Sequence, residues 1–139
     1  MNHFSISDLK IGHKESFKAE ITAEMMQAYE KITGDISPIH IDENFAREKG
    51  FKGRVVYGLL TSSFYSTLVG VYLPGSTAIL QSVDVSLVSV VYIGDTLEIS
   101  GEVSAIHEGF KQIELKVRIR NQEGATISRG KIKVGVREQ

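Results

Sequence analysis

The chain of 139 residues contains no cysteine. It therefore has no disulfide framework, no thiolate nucleophile and no cysteine-based zinc site. Its histidines are scattered and show none of the close spacing that is typical of metal ligands; they are His3, His13, His40 and His107. Neither a Gly-x-Gly-x-x-Gly nor a Walker sequence occurs, which argues against a tightly bound nucleotide cofactor.

An excess of charge of one sign is also lacking. Sixteen lysines and arginines stand against seventeen aspartates and glutamates, which gives a formal net charge of −1 at pH 7. No basic tract is present to neutralise a phosphate backbone, so a nucleic-acid partner is not expected. The first ten residues lack the basic start and apolar core of a secretory signal, which predicts a cytoplasmic protein. The length and the absence of internal repeats predict a single domain over residues 1–139.

Residues 58–73 contain no charged side chain and end at Pro74-Gly75. This pattern predicts a buried helix, because a membrane span needs roughly 20 mainly apolar residues and this run is shorter and rich in hydroxyl groups. A helix that begins at Gly58 presents unpaired backbone N–H groups at the positive end of its dipole, where an oxyanion can bind. Alternatively, Gly58 serves a tight turn that requires a small residue, and both interpretations can hold together.

An acid and a histidine lie close together shortly before this run. Asp35 and His40 flank Ser37-Pro38, and Gly34 and Pro38 predict a rigid loop instead of a regular helix. A carboxylate beside an imidazole that gives or takes a proton near neutral pH can activate one water molecule. A purely structural interpretation also stands: Asp35 caps the turn through an Asx-type bond, and His40 is a surface or core histidine whose hydrogen bonds go to the backbone.

The first half of the chain predicts one strand and two helical segments. The strand is expected within residues 10–21 and the first helix over residues 22–32, with Thr22 as its N-cap and Gly34 as its stop. Residues 42–49 predict a further helical turn or two, whose charges form a solvated face.

The second half predicts a sheet. Four strands rich in β-branched residues are expected over residues 77–89, 96–107, 111–121 and 126–136. Residues 113–120 alternate strictly between apolar and charged, which places one face on a core and the other in water. The breaks at Gly94-Asp95, Glu108-Gly109 and residues 121–124 resemble hairpin turns, so a meander is expected that wraps around the charge-free helix.

The segment Gly34-Asp35-Ile36-Ser37-Pro38-Ile39-His40, with Gly58 opening a helix, resembles the signature of the MaoC-like, (R)-specific enoyl-CoA hydratases. In that family a Gly-Asp-x-Asn-Pro-x-His motif precedes a His-Gly-Met/Leu helix start. The resemblance covers nearly the whole chain, and Leu73-Pro74-Gly75 continues it. It implies an α+β hotdog fold, in which an antiparallel sheet wraps around a central apolar helix.

The resemblance also implies roles for individual residues. Asp35 and His40 fall on the catalytic aspartate and histidine, Gly58 on the glycine whose amide serves the oxyanion hole, and Ser66 on a serine near the pair. The chain departs from the family at three positions: Ser37 replaces the usual asparagine, Tyr57 the usual histidine, and Arg54 a common proline. Ser37, Tyr57 and Ser66 are therefore expected to shape the acyl pocket or support the catalytic pair, and Tyr57 and Arg54 to alter substrate range.

The function implied is reversible hydration of trans-2-enoyl-CoA to (R)-3-hydroxyacyl-CoA, without metal or cofactor, by an Asp/His pair and a backbone oxyanion hole. A dehydratase acting on acyl carrier protein uses the same chemistry in reverse. The sequence also leaves open a hotdog acyl-CoA thioesterase and a non-catalytic acyl-thioester-binding module. Sheet edges must be covered, charged or paired, and the family pairs two sheets edge to edge, so a homodimer is expected.

Overall fold

The computed structural model describes residues 1–138. Its helices are α1 Ala23–Thr33, α2 Pro38–Ile41, α3 Glu43–Glu48 and α4 Gly58–Thr67, and a π-helical segment, Leu68–Tyr72, extends α4. Its strands are β1 Lys14–Glu20, β2 Ala78–Leu87, β3 Thr96–His107, β4 Gln112–Arg120 and β5 Thr126–Val136. Short 3-10 turns occur at Ile6–Asp8 and Glu108–Phe110. The five strands expected from the sequence are all present, with ends shifted by a few residues at most.

The strands form one antiparallel sheet in the order β1-β3-β4-β5-β2. The alternation in β4 is confirmed: the buried side chains are Ile113, Leu115, Val117 and Ile119, and the charged residues between them lie on the opposite face. The sheet therefore has an inner, apolar face that carries the core and an outer, charged face.

The connection between β2 and β3 corrects one prediction. Gly94 and Asp95 do form a turn, with Gly94 at φ 97° and Asp95 Oδ2 accepting a hydrogen bond from the Tyr92 N–H at 3.0 Å. The turn does not join a hairpin, because β2 pairs with β5 and β3 pairs with β1. Instead, it is held against Ile21 by backbone hydrogen bonds of 2.8 and 2.9 Å. Only β3, β4 and β5 follow one another as a meander.

Helix α1 is capped and stopped by the residues that the sequence predicts. The Thr22 hydroxyl accepts a hydrogen bond from the Met25 N–H at 3.2 Å, and Gly34 stops the helix in the left-handed conformation at φ 72°. The left-handed Gly34 changes the direction of the chain at the end of α1, and Asp35 is the next residue.

Helix α4 lies on the inner face of the sheet. Its Tyr65 hydroxyl is 2.7 Å from Ser128 Oγ on β5, and burial raises the pKa of Tyr65 to about 12. At Gly101 on β3 a Cβ atom would lie only 2.9 Å from the Leu68 side chain, so the glycine allows the close approach of helix and sheet. The helix is buried on one face only: Leu59 is 67 % exposed and Ser66 is also exposed. The architecture is the hotdog fold.

Candidate active site

Asp35 lies in the loop that follows α1, and its carboxylate is held by Ser37. Asp35 Oδ1 accepts hydrogen bonds from the Ser37 hydroxyl at 2.5 Å and from the Ser37 N–H at 3.0 Å. These bonds, the hydroxyl first and the backbone second, lower the pKa of Asp35, and the nearby His40 adds a smaller lowering. The Asx-type turn of the structural interpretation is therefore present, and it also keeps the carboxylate ionised.

His40 lies on a helical turn, which corrects the prediction of a loop throughout this segment. The residues before Pro38 are irregular, but Pro38 begins α2 at its first helical position. Proline is compatible with a helix there, because its missing N–H would have no intrahelical partner and its φ angle is already helical. The His40 N–H bonds to the Ser37 carbonyl at 3.0 Å and so ties α2 to the loop that carries the aspartate.

The imidazole of His40 is oriented by the backbone. Its Nδ1 lies 2.7 Å from the carbonyl oxygen of Val55. A carbonyl only accepts, so Nδ1 carries the proton, and in the neutral ring Nε2 keeps its lone pair. One ring nitrogen of His40 thus bonds to the backbone, as the structural interpretation predicts. The other ring nitrogen is able to accept a proton.

Tyr57 connects the two halves of the pair. It is buried, its hydroxyl donates a hydrogen bond to the Asp35 carbonyl at 2.7 Å, and its ring centroid lies 4.2 Å from that of His40. Tyr29 packs on the other side, with 4.7 Å between ring centroids. Burial first, and then the carboxylates of Glu30 and Asp35, raise the pKa of Tyr57, so its hydroxyl remains a donor.

Arg54 forms a hydrogen bond to the backbone of α2. Its Nε donates to the His40 carbonyl at 2.7 Å, and its backbone N–H donates to Glu43 Oε2 at 3.2 Å. The other carboxylate oxygen of Glu43 pairs with Arg47 at 3.1 Å. The arginine that replaces the usual proline is thus engaged with the backbone of the histidine turn.

Gly58 is the first residue of α4, as expected. The N–H groups of Leu60 and Thr61 bond to the Tyr57 carbonyl at 3.1 and 3.2 Å, so the Gly58 N–H stands ahead of the first helical hydrogen bonds. A Cβ atom at this position would lie 2.6 Å from a methyl group of Leu87 on β2. A close contact that requires glycine and the start of a helix therefore coincide at Gly58.

The hydroxyl groups of α4 behave differently from one another. Ser63 bonds back to the Leu59 carbonyl at 2.7 Å and Thr61 to the Gly58 carbonyl at 2.7 Å, whereas Ser66 lies on the exposed face. The sequence does not predict a role for Ser62, yet its buried hydroxyl has no hydrogen-bond partner within residues 1–138. The only sequence signal for it is the unusual run of hydroxyl residues that starts at Thr61.

No group of three histidine, aspartate or glutamate side chains in the described part of the chain is arranged to hold a metal ion. Within residues 1–138 no helix is long and apolar enough to cross a membrane. Asp35 and His40 are both partly accessible to solvent.

Comparison with known proteins identifies the family. The family model described as MaoC like domain matches residues 9–125. The chain belongs to the MaoC-like domain family. A 3-hydroxybutyryl-CoA dehydratase from Methylorubrum extorquens is 36% identical over 71% of this chain, and the match spans 63% of that protein.

Two further comparisons concern Aeromonas caviae. An (R)-specific enoyl-CoA hydratase from this organism is 31% identical to this MaoC-like chain over 87% of its length and 90% of the relative. The solved structure of an (R)-hydratase from A. caviae superimposes with a TM-score of 0.88 at 30% identity, covering 92% of this chain and 97% of that one.

Proposed function

We propose that this MaoC-like protein catalyses reversible, (R)-specific addition of water to a trans-2-enoyl-CoA, giving an (R)-3-hydroxyacyl-CoA. The broader class is a hydro-lyase, to which the hydratases and dehydratases among its relatives belong. The observation that carries the finer proposal is the shared anchoring of Asp35 and His40 by Tyr57, together with the Nδ1 bond that leaves His40 Nε2 facing away from the Val55 carbonyl.

Asp35 and His40 would hold one water molecule between a carboxylate and an imidazole lone pair. The water oxygen adds to C3 of the enoyl group, its proton passes to one member of the pair, and the electrons of the C2–C3 double bond move into the thioester carbonyl. A proton from the pair is then delivered to C2. The reverse sequence eliminates water, and no cofactor is needed for either direction.

The Gly58 N–H would stabilise the negative charge that develops on the thioester oxygen. It belongs to the start of α4, where the helix dipole is positive, and a single oxyanion donor in other acyl-transfer enzymes contributes about 10²–10³ in kcat. Ser66 and Ser62 lie on the same helix, and we assign Ser66 to the wall of the acyl pocket. Ser37 keeps Asp35 ionised, and Tyr57 holds the two catalytic segments together.

We further propose that the chain, acting as one domain over residues 1–139, forms a homodimer through β2. This strand is at the edge of the sheet. Its exposed apolar side chains are Ile79, Leu80, Val83 and Leu87, which are between 42 and 53% exposed. An unpaired apolar edge favours pairing with a second sheet. Because Leu87 contacts the start of α4, a second copy placed there would cover the region beside Gly58.

The experiment is the loss of enoyl-thioester absorbance when the purified protein is mixed with crotonyl-CoA, followed by chiral analysis of the product. Formation of the (R)-alcohol supports the proposal. If crotonyl-CoA is inert, longer enoyl-CoA chains and enoyl groups on acyl carrier protein are tested in the same way. Turnover on the carrier protein alone would replace CoA by the carrier as substrate, and no turnover on any of them, with the protein folded, would contradict the proposal.

A further inference from the structure

The outer face of the sheet carries side chains in rows that cross the strands. One row, which we call the arginine row, consists of Ser16 on β1, Ser100 on β3, Arg118 on β4, Arg129 on β5 and Ser86 on β2. Each of these residues is the register partner of the next. In-register residues of an antiparallel sheet project from the same face about 5 Å apart, so the two arginines are direct neighbours with a serine on either side.

On the rest of this face, most charged residues lie opposite a residue of the other sign. Directly opposed charged residues are mostly of opposite sign: Lys14 and Glu102, Lys18 and Glu98, Glu98 and Arg120, Glu102 and Lys116, Glu114 and Lys133, and Asp84 and Lys131. The other like-charged pair, Lys116 and Lys131, has an acid on both flanks. The arginine row alone opposes two like charges with no carboxylate in the row.

This arrangement has an energetic consequence. Like charges directly opposite each other destabilise a sheet, whereas opposite charges stabilise it by a similar amount. Neither Arg118 nor Arg129 takes part in the side-chain ion pairs formed within residues 1–138. The two arginines therefore oppose each other without an acidic partner in their row, unlike Lys116 and Lys131, whose row contains Glu102 and Asp84.

The row also lines a concavity. A cleft of about 980 Å³ on the outer face is bordered by all five residues of the arginine row. Glu98 and Glu102 on β3 also line the cleft, and so do Lys14 and Lys116, which are the register partners of Glu102. The lining of the cleft thus combines two arginines and three serines with acidic and basic residues of the neighbouring rows.

We propose that the arginine row is a binding site for a phosphate monoester. Each guanidinium can donate two parallel N–H bonds to a tetrahedral oxyanion, and the charge of a phosphate monoester near neutral pH matches that of two arginines. The hydroxyl of Ser86 can donate to one of the remaining oxygens, and that of Ser100 can do so by giving up its long hydrogen bond of 3.4 Å to the Arg118 carbonyl. The site lies on the opposite face of the sheet from Asp35 and His40, so it does not depend on the proposed hydratase function.

The test is titration of the full chain with inorganic phosphate, and separately with adenosine 3′,5′-bisphosphate, at constant ionic strength in chloride buffer. Binding is followed by NMR through the backbone amide resonances of positions 118 and 129, which the variants retain. Saturable shifts of both resonances are expected, with an affinity at least about tenfold higher than that of the Arg118→Gln/Arg129→Gln double variant, which has lost the charge-assisted bonds. Comparable binding of both probes identifies free phosphate as sufficient, and much tighter binding of the bisphosphate identifies a nucleotide-linked phosphate.

Two controls make the result decisive. Lys18→Gln removes a positive charge from the same face outside the row and should bind both probes as the wild type does. The double variant removes the repulsion between the two guanidinium groups, so it should fold. If it does not, the single Arg129→Gln variant takes its place. The proposal is overturned if the wild type shows no saturable shift with either probe, or if the arginine variant binds as tightly as Lys18→Gln.

Discussion

Two of the residues that depart from the family signature contact Asp35 directly. Ser37 and Tyr57 stand where asparagine and histidine are usual, and each forms a hydrogen bond to Asp35 of 2.5 to 3.0 Å. Ser37 acts on the carboxylate and Tyr57 on the backbone. Their effects on activity should therefore be separable.

Removal of the Ser37 hydroxyl should move the acidic limb of the rate profile. In the folded protein the pKa of Asp35 is lowered chiefly by that hydroxyl, so the ionised form persists to lower pH. Ser37→Ala leaves only the backbone N–H bond, and the pKa of Asp35 should rise toward its ordinary value. We expect the acidic limb of kcat/KM for crotonyl-CoA hydration to shift to higher pH.

Ser37→Thr is the matched control, because it retains a hydroxyl at the same position and should keep the wild-type limb. An unchanged profile in Ser37→Ala would show that the ionisation of Asp35 does not govern the acidic limb.

Loss of the Tyr57 hydroxyl should weaken the positioning of Asp35 while the packing of the Tyr57 ring is kept. Tyr57→Phe keeps the ring against His40 but leaves the Asp35 carbonyl without its 2.7 Å bond. We expect a loss of about 1 kcal/mol in the free energy of unfolding and a fall of roughly tenfold in kcat, since misplacement of a catalytic group is costly. Both are measured on the same preparation, by denaturant unfolding and by the hydration assay.

Tyr29→Phe serves as the comparison, because the Tyr29 ring packs on Tyr57 while its hydroxyl does not bond to Asp35. It should retain nearly full activity. Equal losses in the two variants would show that the Tyr57 effect does not come from its bond with Asp35.

At the scale of secondary structure, the sequence predicts the ends and faces of an element correctly where residues within or next to that element determine them. Thr22 and Gly34 bound α1, and the alternation of residues 113–120 gives the two faces of β4. The sequence also predicts the Gly94-Asp95 turn, but it wrongly predicts that the strands on either side of the turn pair with each other. Strand pairing depends on contacts between distant residues, here the bonds of the turn to Ile21, and a turn signal alone does not distinguish a hairpin from a crossing connection.

The site shows the same division. The positions of Asp35, His40 and Gly58 along the chain follow from the motif. The roles of Val55, which orients His40, and of Tyr57, which bonds to the Asp35 carbonyl, follow only from folding, because those contacts join residues 15 and 22 positions apart. The sequence predicts Pro38 as a helix breaker, but proline is tolerated at the first position of a helix, where the structure places it.

The N-cap of α1 allows the stability of one helix to be tested without a change at Asp35 or His40. Thr22→Ala removes the acceptor for the Met25 N–H. We expect a loss of about 1 kcal/mol in the free energy of unfolding, measured by urea denaturation, while Thr22→Ser should stay close to the wild type. A Thr22→Ala variant as stable as the wild type would show that water satisfies the helix start equally well.

On the scale of the whole molecule, the exposed apolar edge strand β2 predicts a dimer. Val83 faces the inner side of this strand, opposite the buried Ile132, yet it is 45% exposed. Val83→Lys places a charge on the surface that a second copy would cover. We expect sedimentation equilibrium to give a dimer for the wild type and a monomer, or a dimer weakened by about 2 kcal/mol or more, for Val83→Lys.

Ser82→Lys adds the same charge to the same strand but on the outer face, opposite Lys133, and should remain dimeric. A monomeric wild type at micromolar concentration would contradict the proposed assembly. Hydration by such a monomer would further show that the active site does not need a second copy.

The measurement that bears most directly on the proposed chemistry is the crotonyl-CoA hydration rate of Asp35→Asn and His40→Ala beside that of the wild type, with the fold of each checked by thermal unfolding. If the two side chains share one water molecule as acid and base, each substitution should lower kcat by roughly two orders of magnitude or more while the variants remain folded. Near-wild-type turnover in either folded variant would contradict the assignment of that residue to catalysis.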